Sequence, residues 1–122
     1  FHSTTDTERN ATWGEEATVD ELFNSMKAKF VDQGIPVVLG EFSAMRRDNL
    51  TGDALSLHLA SRAHYFRYVT ERANSTGLLP FVWDTGSLLN RNTLTVADQH
   101  VLDALLLGAG KVSSSSSSAA AQ

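Results

Sequence analysis

At 122 residues the chain is long enough for one domain with a modest core, and its 42% hydrophobic and 20% charged residues are ordinary for a globular protein. A net charge of −4, with no basic cluster beyond the pair Arg46-Arg47, argues against a nucleic-acid or anionic-membrane partner, and no apolar run approaches the ~20 residues that cross a bilayer. The absence of cysteine excludes disulfides and thiolate metal sites.

In chain order, residues 1–16 are polar and Thr-rich and read as a loop containing Trp13-Gly14. The start at Phe1, without methionine and without a basic-then-apolar leader, is that of a mature or partial chain. Thr18-Val-Asp-Glu21 reads as a capping box opening a helix. Val19, Leu22, Phe23, Met26 and Phe30 give it one apolar stripe, and Gly34 stops it. Ile35 to Phe42, IPVVLGEF, is a short β-branched run with the pattern of a strand buried on both faces, as in parallel sheets. A polar loop from Ala44 to Gly52 precedes a second helix, about Ala54 to Ala73. Leu55, Leu59, Ala63, Phe66 and Tyr68-Val69 lie near its buried side, and Asn74-Ser-Thr-Gly77 ends it. Leu78 to Trp83 is a second apolar strand, followed by a polar loop from Asp84 to Asn92. Thr95 is placed to cap a third helix, about Val96 to Leu107, ended by Gly108.

The order helix, strand, helix, strand, helix contains one βαβ unit, whose strands pair in parallel. A two-stranded parallel sheet leaves open edges and uncovered apolar faces, so the expected architecture is α/β and part of something larger, most simply a barrel. Residues 111–122, with the serine run Ser113–Ser118, have nothing to bury and read as a Ser/Ala-rich linker or tail; a further module beyond it and a plain disordered tail are both open. The sequons at Asn10, Asn49 and Asn74 all fall in predicted loops, where a glycan fits, and point to an extracellular, secreted protein.

Strand alternation puts Val37, Leu39 and Glu41 on one face and Val38, Gly40 and Phe42 on the other, and groups Leu79, Phe81 and Trp83. Glu41 and Trp83 then stand at one rim, the C-terminal end of the strands, where barrel enzymes build active sites. A carboxylate beside an indole suits carbohydrate, whose apolar face stacks while its reacting carbon meets an anion. Taken singly, a strand-end Glu is more often a salt-bridge partner and a strand-end Trp more often core. Asp84 suits an Asx-turn in the following loop, with Asn90 and Arg91 fixing the same loop. His58, His64 and His100 lie on helices away from the rim and read as packing or surface residues. No metal-ligand spacing and no Gly-rich phosphate loop occur, so no cofactor is expected.

A helix, then Pro36-Val-Val-Leu-Gly-Glu-Phe42, a long helix, Phe81-Val-Trp-Asp-Thr-Gly86, Leu88-Leu-Asn-Arg-Asn-Thr-Leu-Thr95 and a last helix together resemble the C-terminal part of glycoside hydrolase family 5, closest to cellulase-type endo-β-1,4-glucanases. The likeness runs from about Trp13 to Gly110. It implies a C-terminal fragment of a (β/α)8 TIM barrel, from the sixth helix through the seventh strand to the eighth helix. Residues 1–110 would then be a partial catalytic domain, monomeric, whose partner is a β-glucan. The family's seventh strand ends in Gly-Glu-Phe-Gly with the nucleophile, and its eighth in a Trp-Asp-Asn-Gly-like motif whose Trp lines the substrate site. Glu41 is thereby implied as nucleophile, with Trp83, Trp13, Asp84 and Asn90 on the substrate side. Ser43 and Thr85 depart from the family's Gly and Asn. The implied reaction is a retaining double displacement, in which a second carboxyl about 5 Å away protonates the leaving oxygen and then activates water. The family carries that acid/base after an Asn, and no Asn-Glu pair occurs here; His2 is a poor match to the sixth-strand His-x-Tyr. A relative acting on mannan, xyloglucan or mixed-linkage glucan is the first alternative, and a non-catalytic carbohydrate-binding remnant the second.

Overall fold

The computed structural model describes residues 11–111; Asn10, His2 and the serine run lie outside them. Helix α1 is Glu16–Lys29, followed by a 3-10 turn at Val31–Gln33 and strand β1 at Val37–Phe42. Helix α2 is Gly52–Thr76 and strand β2 is Leu78–Val82. A hairpin of β3, Leu89–Asn90, and β4, Thr95–Val96, leads to helix α3, Gln99–Gly108. β1 and β2 pair in parallel across α2, as the βαβ pattern requires, and β3 pairs with β4 antiparallel.

One face of the parallel pair is covered. Phe42 and Leu78 join Phe23 of α1, Phe66, Val69 and Ala73 of α2, and Val101 and Ala104 of α3 in one buried cluster. On the other face Val38, Leu79, Phe81 and Trp83 are each more than half exposed. Burial on both faces, expected from the β-branched run, is therefore met on one only among the described residues, because the helices all pack on the same side of two strands.

The element ends differ from expectation where two candidate caps compete. α1 starts at Glu16 with Glu15 as its cap residue, and the Thr18 hydroxyl accepts from Gly14 N–H at 3.2 Å, so no capping box forms with Glu21. Thr95 lies in β4, and the cap of α3 is Asp98, whose side chain accepts from Val101 N–H at 3.2 Å. Thr95 and Val96 are taken up by the hairpin ladder, where Ala97 N–H reaches the Leu88 carbonyl at 2.8 Å. Gly34 and Gly77 do end their segments, both left-handed at φ 77° and 78°, a conformation that costs glycine little.

Asn74 and Thr76 lie in the last turn of α2 rather than in a loop. Asn74 Nδ2 donates to the Gly108 carbonyl at 3.3 Å, and the Thr76 hydroxyl is buried against the Arg72 and Ala73 carbonyls. That sequon is occupied by helix packing, whereas Asn49 sits exposed in a turn.

Gly108 is inside α3, not beyond it. A β-carbon there would stand 2.5 Å from the Arg67 carbonyl oxygen and 2.9 Å from Thr70 Cβ, so the glycine sets how closely α3 lies on α2. Gly108→Ala must push the helices apart and is expected to cost about 1–3 kcal/mol, the usual range for overpacking. A thermal midpoint of the full-length variant equal to that of the parent would refute the close-contact role.

Candidate functional site

The site is built where β1 and β2 end. Between Leu39 and Phe42 the pairing slips: Leu39 faces Pro80 and Phe42 faces Val82, so β1 carries one residue more than β2 over this stretch. Strict alternation from Val37 and Leu39, which pack against the core, would send Glu41 inward as well. The extra residue reverses this. Phe42 is only 7% exposed, its ring 5.9 Å from Phe66 and 6.4 Å from Tyr65, and Glu41 is left exposed beside it. The facing expected for Glu41, with Val37 and Leu39, is thus corrected: those two meet the helices together with Phe42. A bulge commonly re-aims a side chain in this way.

The grouping of Leu79, Phe81 and Trp83 holds, since all three are exposed while Leu78 is buried and Pro80 and Val82 are partly so. The Trp83 N–H donates to the Phe42 carbonyl at 3.0 Å and carries the ladder one step past β2. Glu41 and Trp83 consequently line one groove, which continues along Ser43 and the α1 residues Val19 and Leu22. The groove joins a carboxylate to an indole and aliphatic side chains, an arrangement able to seat a sugar and present an anion to it.

The remaining expected residues are not all brought there. Trp13 is 84% exposed and stays outside the groove, although Gly14 lines it. Asp84 forms the Asx-turn: its Oδ1 accepts from Gly86 N–H at 2.9 Å and Leu88 N–H at 3.0 Å. The Leu88 N–H, with further help from Gly86, Leu89 and the Arg91 charge, holds the Asp84 carboxyl below its ordinary range against the opposing effect of burial. The turn drives Leu88 into the core and so fixes the loop that leaves Trp83. Asn90 closes a separate turn, its Oδ1 accepting from Asn92 and Thr93 N–H at 3.0 and 3.1 Å. With Asp84 and Arg91 it lines a second depression to which neither Glu41 nor Trp83 contributes.

Two histidines do more than fill a helix face. His64 Nε2 stands 2.7 Å from Glu16 Oε1 and ties α2 to α1. The Glu16 carboxyl is lowered to about 2, first by a hydrogen bond from its own backbone N–H and then by His64. His58 Nε2 accepts from Arg47 N–H at 3.0 Å and so holds the loop after β1. Burial, then the charges of Arg62, Arg47 and Arg46, push the His58 pKa below 6.5. The unfolded chain therefore takes up a proton at higher pH than the folded one. The contact contributes fully above about 6.5 and is lost as pH falls through the folded value. Intrinsic-rate-corrected exchange of the Arg47 amide should accelerate from pH 7 to pH 5, and constant protection over that range would be the contrary result.

The residue not singled out beforehand is Arg62, which is 7% exposed. Its position four before Phe66 and seven before Val69 is the available signal, for it places a guanidinium on the buried stripe of α2.

Residues 1–88 match the family model described as cellulase, glycosyl hydrolase family 5. The chain is 36% identical over 107 residues to endoglucanase A of Paenibacillus barcinonensis, covering 82% of this chain and 26% of that protein. It superposes on a Bacteroides ovatus family 5 xyloglucanase in complex with a XXXG heptasaccharide with a TM-score of 0.76 at 32% identity, over 80% of this chain and 22% of that one. A family 5 xyloglucanase from Paenibacillus pabuli, in complex with a ligand, gives 0.74 at 36% identity, over 87% and 30%. The chain thus spans about a quarter of the length of these relatives.

Proposed function

The chain belongs to glycosyl hydrolase family 5, and from that membership we propose that it is the C-terminal part of the catalytic barrel of a β-1,4-glucan endohydrolase, with Glu41 as nucleophile. The observation that carries the reading is the shared groove of Glu41 and Trp83 at the ends of adjacent parallel strands. In this reading a glucosyl unit lies on the Trp83 indole. The Glu41 carboxylate forms a bond to the anomeric carbon as the glycosidic C–O bond breaks, giving a glycosyl ester. The leaving oxygen takes its proton from a second carboxyl group outside this chain, and that group then removes a proton from the water that cleaves the ester. The product keeps its anomeric configuration. Asp84 acts at one remove, by shaping the loop after Trp83. Secretion belongs to the same reading, supported by the exposed turn that carries Asn49.

A second reading, xyloglucan rather than unbranched glucan, is favoured by two of the structural relatives, both xyloglucanases. Assaying the full-length parent on carboxymethylcellulose, xyloglucan and galactomannan, with NMR of the first-formed anomer, separates the two. Cleavage of either glucan with retention is expected. Faster cleavage of xyloglucan selects the second reading, and no cleavage of any β-glucan sinks both. The 122-residue chain alone is expected to give no hydrolysis, since it supplies one carboxylate of the two.

A further inference from the structure

We propose that Arg62 is a positioning residue for Glu41, an inference that rests on the nucleophile reading above. Its guanidinium reaches in two directions. Nε donates to the Ala44 carbonyl at 3.1 Å, three residues beyond Glu41, and Nη1 donates to Asp98 Oδ2 at 2.8 Å. Asp98 in turn caps α3, the element that follows the Trp83 loop and the hairpin. One buried side chain therefore joins the segment leaving Glu41 to the segment arriving from Trp83, directly behind Ser43 and Trp83.

The segment that presents Glu41 needs such support. At the bulge the regular ladder is interrupted, and the exposed Glu41 has its neighbours held from behind at three points: the Phe42 ring in the core, the Phe42 carbonyl by Trp83 N–H, and the Ala44 carbonyl by Arg62. Arg62 also lies over Phe66, 5.8 Å from the ring centroid, and Phe66 is the partner of Phe42, so the Arg62 support is mechanically linked to the Phe42 ring. A buried ion pair is replaceable by apolar residues at little cost in stability, whereas a rigid planar fork aimed at two acceptors specifies a geometry that apolar residues do not reproduce. Misplacing a reacting group by about 1 Å can cost about a hundredfold in rate.

The test is a cycle in the full-length enzyme, following release of dinitrophenol from 2,4-dinitrophenyl β-cellobioside. Arg62→Met is expected to lower kcat about ten- to a hundredfold with KM held within about threefold. In Glu41→Gly, azide supplies the nucleophile: it forms a C–N bond to the anomeric carbon as dinitrophenolate leaves, and Glu41 has no part. There Arg62→Met is expected to change azide-dependent turnover by less than about threefold. An equal proportional fall in both backgrounds, or no fall with Glu41 present, overturns the proposal. Should Arg62→Met not fold, Arg62→Lys, whose single ammonium cannot satisfy both acceptors in the same geometry, is run through the same cycle. A smaller fall, confined to the background that retains Glu41, is then expected, and an equal fall in both backgrounds or none at all overturns the proposal as before. Failure of the underlying reading shows separately, before any change at Arg62. Glu41→Gly would then stay active without azide, or yield no α-glycosyl azide with it, and the positioning role would fall as well.

Discussion

Glu41→Gln in the full-length enzyme is expected to lower kcat at least about a thousandfold while leaving the fold intact. Gln keeps the size and hydrogen-bonding reach of Glu but cannot form a glycosyl ester, so the chemical step loses its nucleophile rather than a fraction of its binding energy. Little structural penalty competes with this, because Glu41 is exposed on the rim and has no ion pair among the described residues, and the bulge that presents it is held by Phe42, Trp83 and Ala44 instead. KM is expected to change less than kcat, since Trp83 and the apolar groove wall remain. The measurement is kcat and KM on the best β-glucan substrate together with the thermal midpoint. Turnover within a factor of about two of the parent would remove Glu41 from the nucleophile role.

The strands, the long helices and the placing of Glu41 and Trp83 at adjacent strand ends could be read from residue patterns, because the elements rest on periods repeated over several residues and the strand ends follow from them. A run of Val and Leu closing on Gly-Glu-Phe, and apolar positions at helical spacing around Phe23 and Phe66, leave few alternatives. What resisted reading depends on single contacts. The β1 bulge cannot be seen by alternation, which assumes one residue opposite one, and Gly40 inside the strand was its only trace. Alternation thus set Glu41 beside Val37 and Leu39, and the rim position survived because the bulge reversed the facing just before the strand ended. Thr18 and Thr95 resemble caps as well as Asp98 does, and only the surrounding packing chooses between them. The two-residue strands of the hairpin are too short to show any period. Gly108 resembled a stop signal because close packing against Arg67 and Thr70 leaves the same mark in a sequence as a turn.

Asp98→Ala is expected to destabilise the fold by about 3–5 kcal/mol. Three effects contribute unequally. Loss of the α3 cap, in which Asp98 accepts from Val101 N–H, costs about 1 kcal/mol. The removed carboxyl buries little apolar area, so the change in hydrophobic burial is minor. The dominant effect is the partner left behind: Arg62, 7% exposed, would keep its charge with one acceptor, the Ala44 carbonyl. Against a total of about 5–15 kcal/mol for a domain, that is enough to unfold a marginal protein. Asp98→Asn separates the parts, since the amide oxygen still caps α3 while the charge is gone, and an intermediate loss is expected. The pH dependence follows from the same pair. Burial raises the Asp98 pKa, but the Arg62 hydrogen bond, the Val101 N–H and the guanidinium charge outweigh it and hold the carboxyl below 3.8. A carboxyl depressed in the folded state stabilises above its unfolded pKa, and that contribution is lost as pH falls through the folded value, so the gap between parent and Asp98→Asn should narrow below about pH 4. Urea denaturation of the full-length proteins measures each arm, and a loss below about 1 kcal/mol for Asp98→Ala would show that Arg62 finds solvent or another acceptor. The double change Arg62→Met, Asp98→Leu removes both charges together and is expected to regain most of the stability. If it does so while kcat stays low, the pair is retained for the geometry it imposes on the Glu41 segment, not for the free energy of the ion pair.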